Sequence, residues 1–185
     1  SHFDDTVELK RQLLHLCERY KKSVGGNGLV YGQILESLAV VEEREKNWKA
    51  ALPYRLRICE ILKELEPDGL DYIMEIARLS NCQRKVGKTE EALTNSLVAC
   101  DAAESYIGPK GEGARFCVWV IRGAALRAAG SLVEAQEVFQ KAKDRLIVLR
   151  EGVIPSDMVM WLDEEYLACK EELKKTNGTD PYSGK

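Results

Sequence analysis

Three stretches of this chain repeat one another. They read "ESLAVVEEREKNWKAALPYRLRICEIL", "ARLSNCQRKVGKTEEALTNSLVACDAA" and "IRGAALRAAGSLVEAQEVFQKAKDRLI". Each is a helical apolar pattern, a short break, and a second helical pattern with Ala near its start. Ala51, Ala92 and Ala135 stand 41 and 43 residues apart. Seven residues beyond them lie Ile58, Ala99 and Ala142, and twelve before them lie Ala39, Ser80 and Gly123. Small residues at facing positions let two helices cross closely, which is a steric requirement and not a chemical one. A recurrence of this length restricts the chain to a stack of like units, because one unit alone cannot cover its apolar face.

Apolar stripes at helical spacing flank the repeats. Leu9, Leu13, Leu16, Cys17 and Tyr20 mark one, and Val159, Leu162, Tyr166, Cys169 and Leu173 mark the other. Steps of three and four place each set on one helix face. Eight helices follow, over about 5–23, 29–45, 48–66, 69–86, 89–107, 113–129, 132–150 and 156–175. The chain divides into an N-terminal flanking helix (1–28), three helix pairs (29–150), a C-terminal capping helix (151–175) and a disordered tail (176–185). Leu, Ala, Glu, Lys and Arg dominate, which favours helix. Pro53 falls past the first turn of a helix starting near Trp48, so a bend or a later start is expected there. Gly87 suits a helix C-cap and Thr89 an N-cap, while Ser131 and Glu134 have the spacing of a capping box.

Here the chain resembles the tetratricopeptide repeat family. The third unit carries Trp119, Gly123, Gly130, Ala135, Phe139 and Ala142 in the family's order and spacing. The second keeps Ser80, Gly87, Ala92 and Ala99, with Ser96 at the usual aromatic position. The first keeps Leu35, Leu38, Ala39, Trp48 and Ala51, with Lys46 at the inter-helix Gly position and Arg55 at the aromatic one. Arg122 stands where the family usually has an apolar residue. The family's common repeat is about 34 residues, whereas this one is about 42. The longer unit is similar to kinesin-light-chain-type repeats. The resemblance implies an all-α fold, a right-handed α-solenoid of helix-turn-helix repeats.

Few residues suggest chemistry. Gly-Lys-Thr at 87–89 ends like a phosphate-binding loop, but Cys82 stands where that loop needs its first Gly, and the preceding residues read as helix. The Gly-rich runs Ser23–Gly28 and Gly108–Gly113 fall where turns are needed between helices. The six cysteines lack C-x-x-C spacing and read as reduced core residues, with no metal site. No nucleophile–base set is present. The acidic runs Glu42-Glu43, Glu90-Glu91 and Asp163-Glu164-Glu165 read as solvated helix faces. No cofactor is implied, and an enzyme is not expected. A net charge of -3 disfavours nucleic acid as partner. No apolar run is long enough to cross a bilayer. Ser1-His2 reads as a cloning remnant of an excised, cytoplasmic piece, in which the sequon Asn177-Gly178-Thr179 is a chance match.

Function is therefore expected from the repeat surface. In the tetratricopeptide family the first helix of each pair lines a concave face that commonly holds peptides. The resemblance carries this role to Gln33, Glu36, Val40 and Glu43 in unit one. In unit two it falls on Met74, Ala77, Asn81, Arg84 and Lys85, and in unit three on Cys117, Val120, Ala124 and Arg127. Ala77 and Ala124 would leave room for a ligand, Asn81 would bond a peptide backbone, and Arg84, Lys85 and Arg127 would favour an acidic one. The Lys/Asn/Arg set by which chaperone-binding members grip a carboxylate is absent, since Glu36, Val40 and Ala124 occupy its positions. The expected function is a non-catalytic scaffold or adaptor module binding a peptide segment or protein partner. The alternative is a structural oligomerisation or regulatory domain of a larger cytosolic or cytoskeletal protein, which would act as a homo-oligomer.

Overall fold

A computed structural model of the chain describes residues 2–108, 110–149 and 154–178. Among these, eight helices follow in order: α1 His2–Val24, α2 Leu29–Arg44, α3 Trp48–Leu65, α4 Leu70–Lys85, α5 Thr89–Ser105, α6 Gly111–Ala128, α7 Leu132–Val148 and α8 Ser156–Gly178. The described residues hold no strand. Each helix packs on the next, and short connections make neighbours antiparallel. The pairs α2–α3, α4–α5 and α6–α7 are the three repeats. Residues 176–178 of the expected tail continue α8, and residues 179–185 lie outside the described part, as do Ser1 and Thr179 of the sequon.

The repeated small residues sit where the two helices of a pair meet. Ala39, Ser80, Ala51, Ala92 and Ala135 have essentially no exposed surface. Ser80 Oγ donates to the Ala92 carbonyl at 2.7 Å, which is possible only because the backbones approach closely. At Gly123 even a methyl group is too large, since a Cβ there would lie 2.4 Å from Cε1 of Phe139. Phe139, fully buried, fills the space that this glycine leaves.

The turn between the helices of a pair is built the same way three times. Lys46, Gly87 and Gly130 have φ of 60°, 82° and 82°. The next residue donates back to the first helix: Asn47 N to Glu42 O, Lys88 N to Gln83 O and Ser131 N to Leu126 O, at 2.8–3.0 Å. These are Schellman turns, and they use the C-terminal carbonyls of the first helix. They also account for two expectations that fail. Thr89 is the first helical residue of α5 and not its cap, and neither Lys88 nor Ser131 makes a side-chain capping bond. Their ψ of 69° and 63° departs from the extended conformation that swings a cap oxygen over the first amides. The Gly-Lys-Thr stretch is thus a helix-ending turn.

Pro53 neither delays nor breaks α3, which starts at Trp48 and runs continuously to Leu65. Pro53 and Lys49 are both exposed, so the Lys49 carbonyl deprived of its donor lies on the hydrated side.

Three departures from the usual repeat pattern, Arg55, Ser96 and Arg122, are met by polar contacts. Arg55 is 2% exposed at the aromatic position. It donates to both oxygens of Glu43 on α2 at 2.8 and 2.9 Å, and to both of Glu75 on α4 at 3.1 and 3.0 Å. Burial opposes its charge, but the two carboxylates more than offset this and raise its pKa. In the second unit Ser96 leaves the aromatic space empty. Arg122 enters from α6 and donates to Ser96 Oγ at 3.0 Å and to the Leu93 carbonyl at 3.3 Å.

The end helices continue the repeat as halves. Cys17, Cys59 and Cys100 recur 42 and 41 residues apart, and each packs towards the helix that follows. α1 therefore stands to α2 as α3 stands to α4. Cys82 Sγ donates to the Trp48 carbonyl at 3.4 Å, and Cys169 Sγ to the Leu132 carbonyl at 3.3 Å. Trp48 and Leu132 open α3 and α7, so α8 stands to α7 as α4 stands to α3. In α8, Leu162 and Cys169 of the expected stripe are fully buried against the third pair. The stripe of α1 holds only in part: Leu13, Cys17 and Tyr20 pack on the first pair, whereas Leu9 and Leu16 are 47% and 42% exposed.

Lys46 is strained by its Cβ at positive φ, unlike the two glycines at the equivalent turns. The left-handed conformation costs a non-glycine residue about 1–2 kcal/mol, partly offset by the greater freedom of Gly when unfolded. Lys46→Gly is accordingly expected to raise stability by about 0.5–1 kcal/mol in urea titrations followed by circular dichroism. An unchanged or lowered midpoint would show that the Lys46 side chain contributes more than its backbone strain costs.

Candidate functional site

The first helices of the pairs, α2, α4 and α6, line one surface of the stack, and α8 continues it. This inner surface falls into two halves. α4 and α6 pack directly on each other, whereas α2 and α4 do not. Arg55, bonded to Glu43 of α2 and Glu75 of α4, joins them instead.

The half formed by α4, α6 and α8 is filled. Ala77, Val120 and Ala124 have no exposed surface, and Cys117 is 7% exposed. These expected ligand-facing positions are packing positions, and larger side chains at 77 or 124 would enter the core. Trp161 of α8 packs over the inner ends of both larger apolar clusters, together with Met74. The Arg84 guanidinium lies 5.8 Å from the Trp161 ring centre. Arg84 is also 3.7 Å from Glu165, with both side chains under a tenth exposed. Arg127 bonds Glu165 at 2.8 Å and Glu172 at 2.6 Å. Glu165 in turn accepts from Trp161 Nε1 at 3.0 Å. Asn81 Oδ1 accepts from Arg84 at 2.9 Å, so its acceptor is already engaged.

Two residues of the basic strip expected to meet an acidic ligand, Arg84 and Arg127, therefore meet the acidic side of α8, and Lys85 does not. Burial lowers the pKa of Arg84, with Glu165 opposing that shift. Glu165, expected to be a solvated carboxylate, is 7% exposed. Trp161, Glu165 and Glu172 are the contributors that sequence reasoning missed at this surface. The signal available for them was the four- and seven-residue spacing of Trp161, Glu165 and Glu172, which puts them on one side of α8, beside its apolar stripe.

The half between α2 and α4 is open. Gln33 and Lys85 are exposed, and Val40 and Asn81 are half-buried. Glu36 is bonded by Arg78 at 3.0 Å, a partly exposed contact that crosses from α4 to α2. The Lys85 ammonium stands 5.7 Å from the Trp48 ring centre, and with Lys46 and Lys49 it borders a hollow at the start of α3. Burial, then the nearby charges of Arg84, Arg127 and Lys46, lower the pKa of Lys85. The carboxylate of Glu165 opposes that shift.

Burial pushes the thiols of Cys59 and Cys100 up to about 12 and those of Cys82 and Cys117 up to about 11, which keeps them protonated and unreactive. No group of three or more His, Cys, Asp or Glu that could hold a metal ion occurs among the described residues. No described helix is long and apolar enough to cross a membrane.

Among 25 solved chains that match, one is the Podosopora anserina structure of kinesin light chain nearly identical TPR-like repeats. The likeness has a TM-score of 0.71 at 14% sequence identity and covers 97% of this chain and 82% of that one. It shows the fold: a right-handed α-solenoid of TPR-like repeats. No protein-family model matches the chain. No curated protein matches it either.

Removing the carboxylate that Arg84 and Arg127 share leaves Arg84 with little water and no counter-charge. A buried pair broken on one side costs about 3–5 kcal/mol. Arg127 keeps Glu172 and partial exposure, so Glu165→Ala is expected to cost less, about 2 kcal/mol in chemical unfolding. A loss under about 0.5 kcal/mol, the size of an ordinary surface change, would show that the contact holds nothing in place.

Proposed function

We propose that the chain is a non-catalytic protein-interaction module that takes an extended acidic segment of a partner protein on the open half of its inner surface, between α2 and α4. The observation that carries this reading is that exposed Gln33 and Lys85 and half-buried Val40 and Asn81 lie along two helices that do not pack on each other. Val40 supplies an apolar contact there. The free amide of Asn81 can donate to a peptide carbonyl. Lys85, backed by Trp48 and bordered by Lys46 and Lys49, supplies positive charge. The TPR-like repeat fold supports a scaffold role in general, and a cytoplasmic location goes with this reading. Arg84 and Arg127, tied to α8, orient the surface and are not themselves the ligand's contacts. Glu36 is available to a partner only by giving up Arg78.

A fluorescein-labelled peptide of alternating Leu and Glu tests this by anisotropy. Binding is expected to weaken with salt, since exposed charges are screened over about 8 Å at physiological ionic strength. Lys85→Glu is expected to weaken it by tenfold or more, while a reversed exposed charge changes folding by less than about 0.5 kcal/mol. Equal binding by Lys85→Glu, or no binding at low salt, overturns the acidic-segment reading.

A further inference from the structure

We propose that the acidic segment bound on the open half carries a phosphorylated residue, whose phosphate is held in the hollow formed by Lys46, Lys49 and Lys85; this rests on the binding surface proposed above. The hollow, about 340 Å³, lies between the turn that joins α2 to α3 and the end of α4, and Asn47, Trp48 and Val86 complete its lining. Both its walls belong to complete repeats. All three lysines are exposed, and none has an ion pair among the described residues. No carboxylate lines the hollow. Those at the adjoining end of α2 are engaged: Glu42 by Lys10 at 2.5 Å, Glu43 by Arg55 at 2.8 Å and Glu45 by Asn47 at 3.3 Å.

The other repeats supply the comparison. The turns at Lys46, Gly87 and Gly130 are equivalent, and so are the helix ends of α4, α6 and α8 that face them. At the second turn, the positions of Lys46, Lys49 and Lys85 are held by Gly87, Glu90 and Ala128. At the third they are held by Gly130, Val133 and Glu172. Three lysines thus coincide at one turn, and no basic residue stands at the equivalent positions of the other two. Lys46 is the costly member, since at a φ of 60° a residue with a Cβ is strained where glycine is not. The fold needs positive φ there but does not need a lysine, and strain that the fold does not require points to function.

The donors suit a phosphate better than a carboxylate. Inside the chain a carboxylate is gripped by the planar fork of Arg55, which bonds both oxygens of Glu43. The hollow instead offers separate ammonium groups, point charges with no preferred plane. A phosphomonoester carries close to two negative charges and three acceptor oxygens, which three ammonium groups match. The start of α3 adds to this. The Trp48 and Lys49 amides precede its first intrahelical bonds, and Asn47 makes no side-chain cap to them. The edge of the stack that bears the turns also exposes Glu90, Glu91 and Glu134. An anionic membrane pressed there would meet those carboxylates, so a protein segment is the fitting source of the phosphate.

Anisotropy with the Leu–Glu peptide carrying a central Ser, and with its phosphoserine form, tests this. The phosphoserine form is expected to bind at least about tenfold more tightly, the effect of one charge-assisted bond. In Lys46→Gly, and separately in Lys49→Gln, the ratio of the two affinities is expected to fall to about threefold, half of that free energy. Lys88→Gln, at the second turn, is expected to leave the ratio unchanged. Urea titrations confirm that the variants are folded. Equal binding of the two peptides by the wild type overturns the proposal. So does a ratio that Lys46→Gly and Lys49→Gln leave intact, or that Lys88→Gln lowers as much as they do. Sedimentation of the wild type with phosphatidylcholine–phosphatidylinositol bisphosphate vesicles, with no preference between the peptides, assigns the hollow to a membrane instead. If the Ser peptide binds and the phosphate adds nothing, only this inference falls. If only the phosphoserine form binds, the acidic-segment reading falls and the phosphate site stands; if neither binds, both fall.

Discussion

Everything in this stack depends on how closely two helices of a pair can approach. Ser80 reaching the Ala92 carbonyl, and Gly123 lying under the ring of Phe139, set that distance in the second and third units. A close pair presents its remaining apolar residues as two flanks, one towards the preceding unit and one towards the next. Stacking follows because those flanks have no other way to leave water. The turn between the helices must then reverse the chain within three residues, which requires positive φ at Lys46, Gly87 and Gly130. Steric fit fixes the pair, the pair fixes the turn, and the pair's flanks fix the stack.

Because sterics dominate, most of the fold was legible in the sequence. Eight helices, their pairing and their limits within a few residues follow from apolar spacing and three small-residue crossings. The caps were misread for a local reason. Thr89 and Ser131 have cap chemistry, but the Schellman turn sets the backbone before each helix away from cap geometry. Pro53 was misread because its cost depends on which side of the helix loses the bond, and that side is the hydrated one.

The inner surface was legible only in outline. A single-helix view assigns Ala77, Val120 and Ala124 to a ligand-facing side, yet whether that side is open depends on how the next first helix lies across it. α4 and α6 pack together, and α8 then brings Trp161 and Glu165 onto the same ground. α2 and α4 do not pack directly and are joined by an arginine at a position that an aromatic ring usually fills. Arg55 was visible as a departure from the repeat pattern. Its two carboxylate partners, one 12 residues before it and one 20 after, were not, because their pairing exists only once three helices are assembled.

The same substitution that looks like a defect in the repeat therefore shapes where function can lie. A buried Arg with two Glu partners is not a strong source of stability, since the desolvation of three charges offsets much of their attraction. It does impose geometry: five donors in a rigid plane must meet carboxylates from two different helices, and neither helix can slide without losing a bond. With Arg55 in place, the first unit is held at a fixed offset, and the space between α2 and α4 stays available while the equivalent space between α4 and α6 is consumed. Specific polar geometry at one buried position thus separates the half of the surface that can accept a partner from the half that holds the chain together.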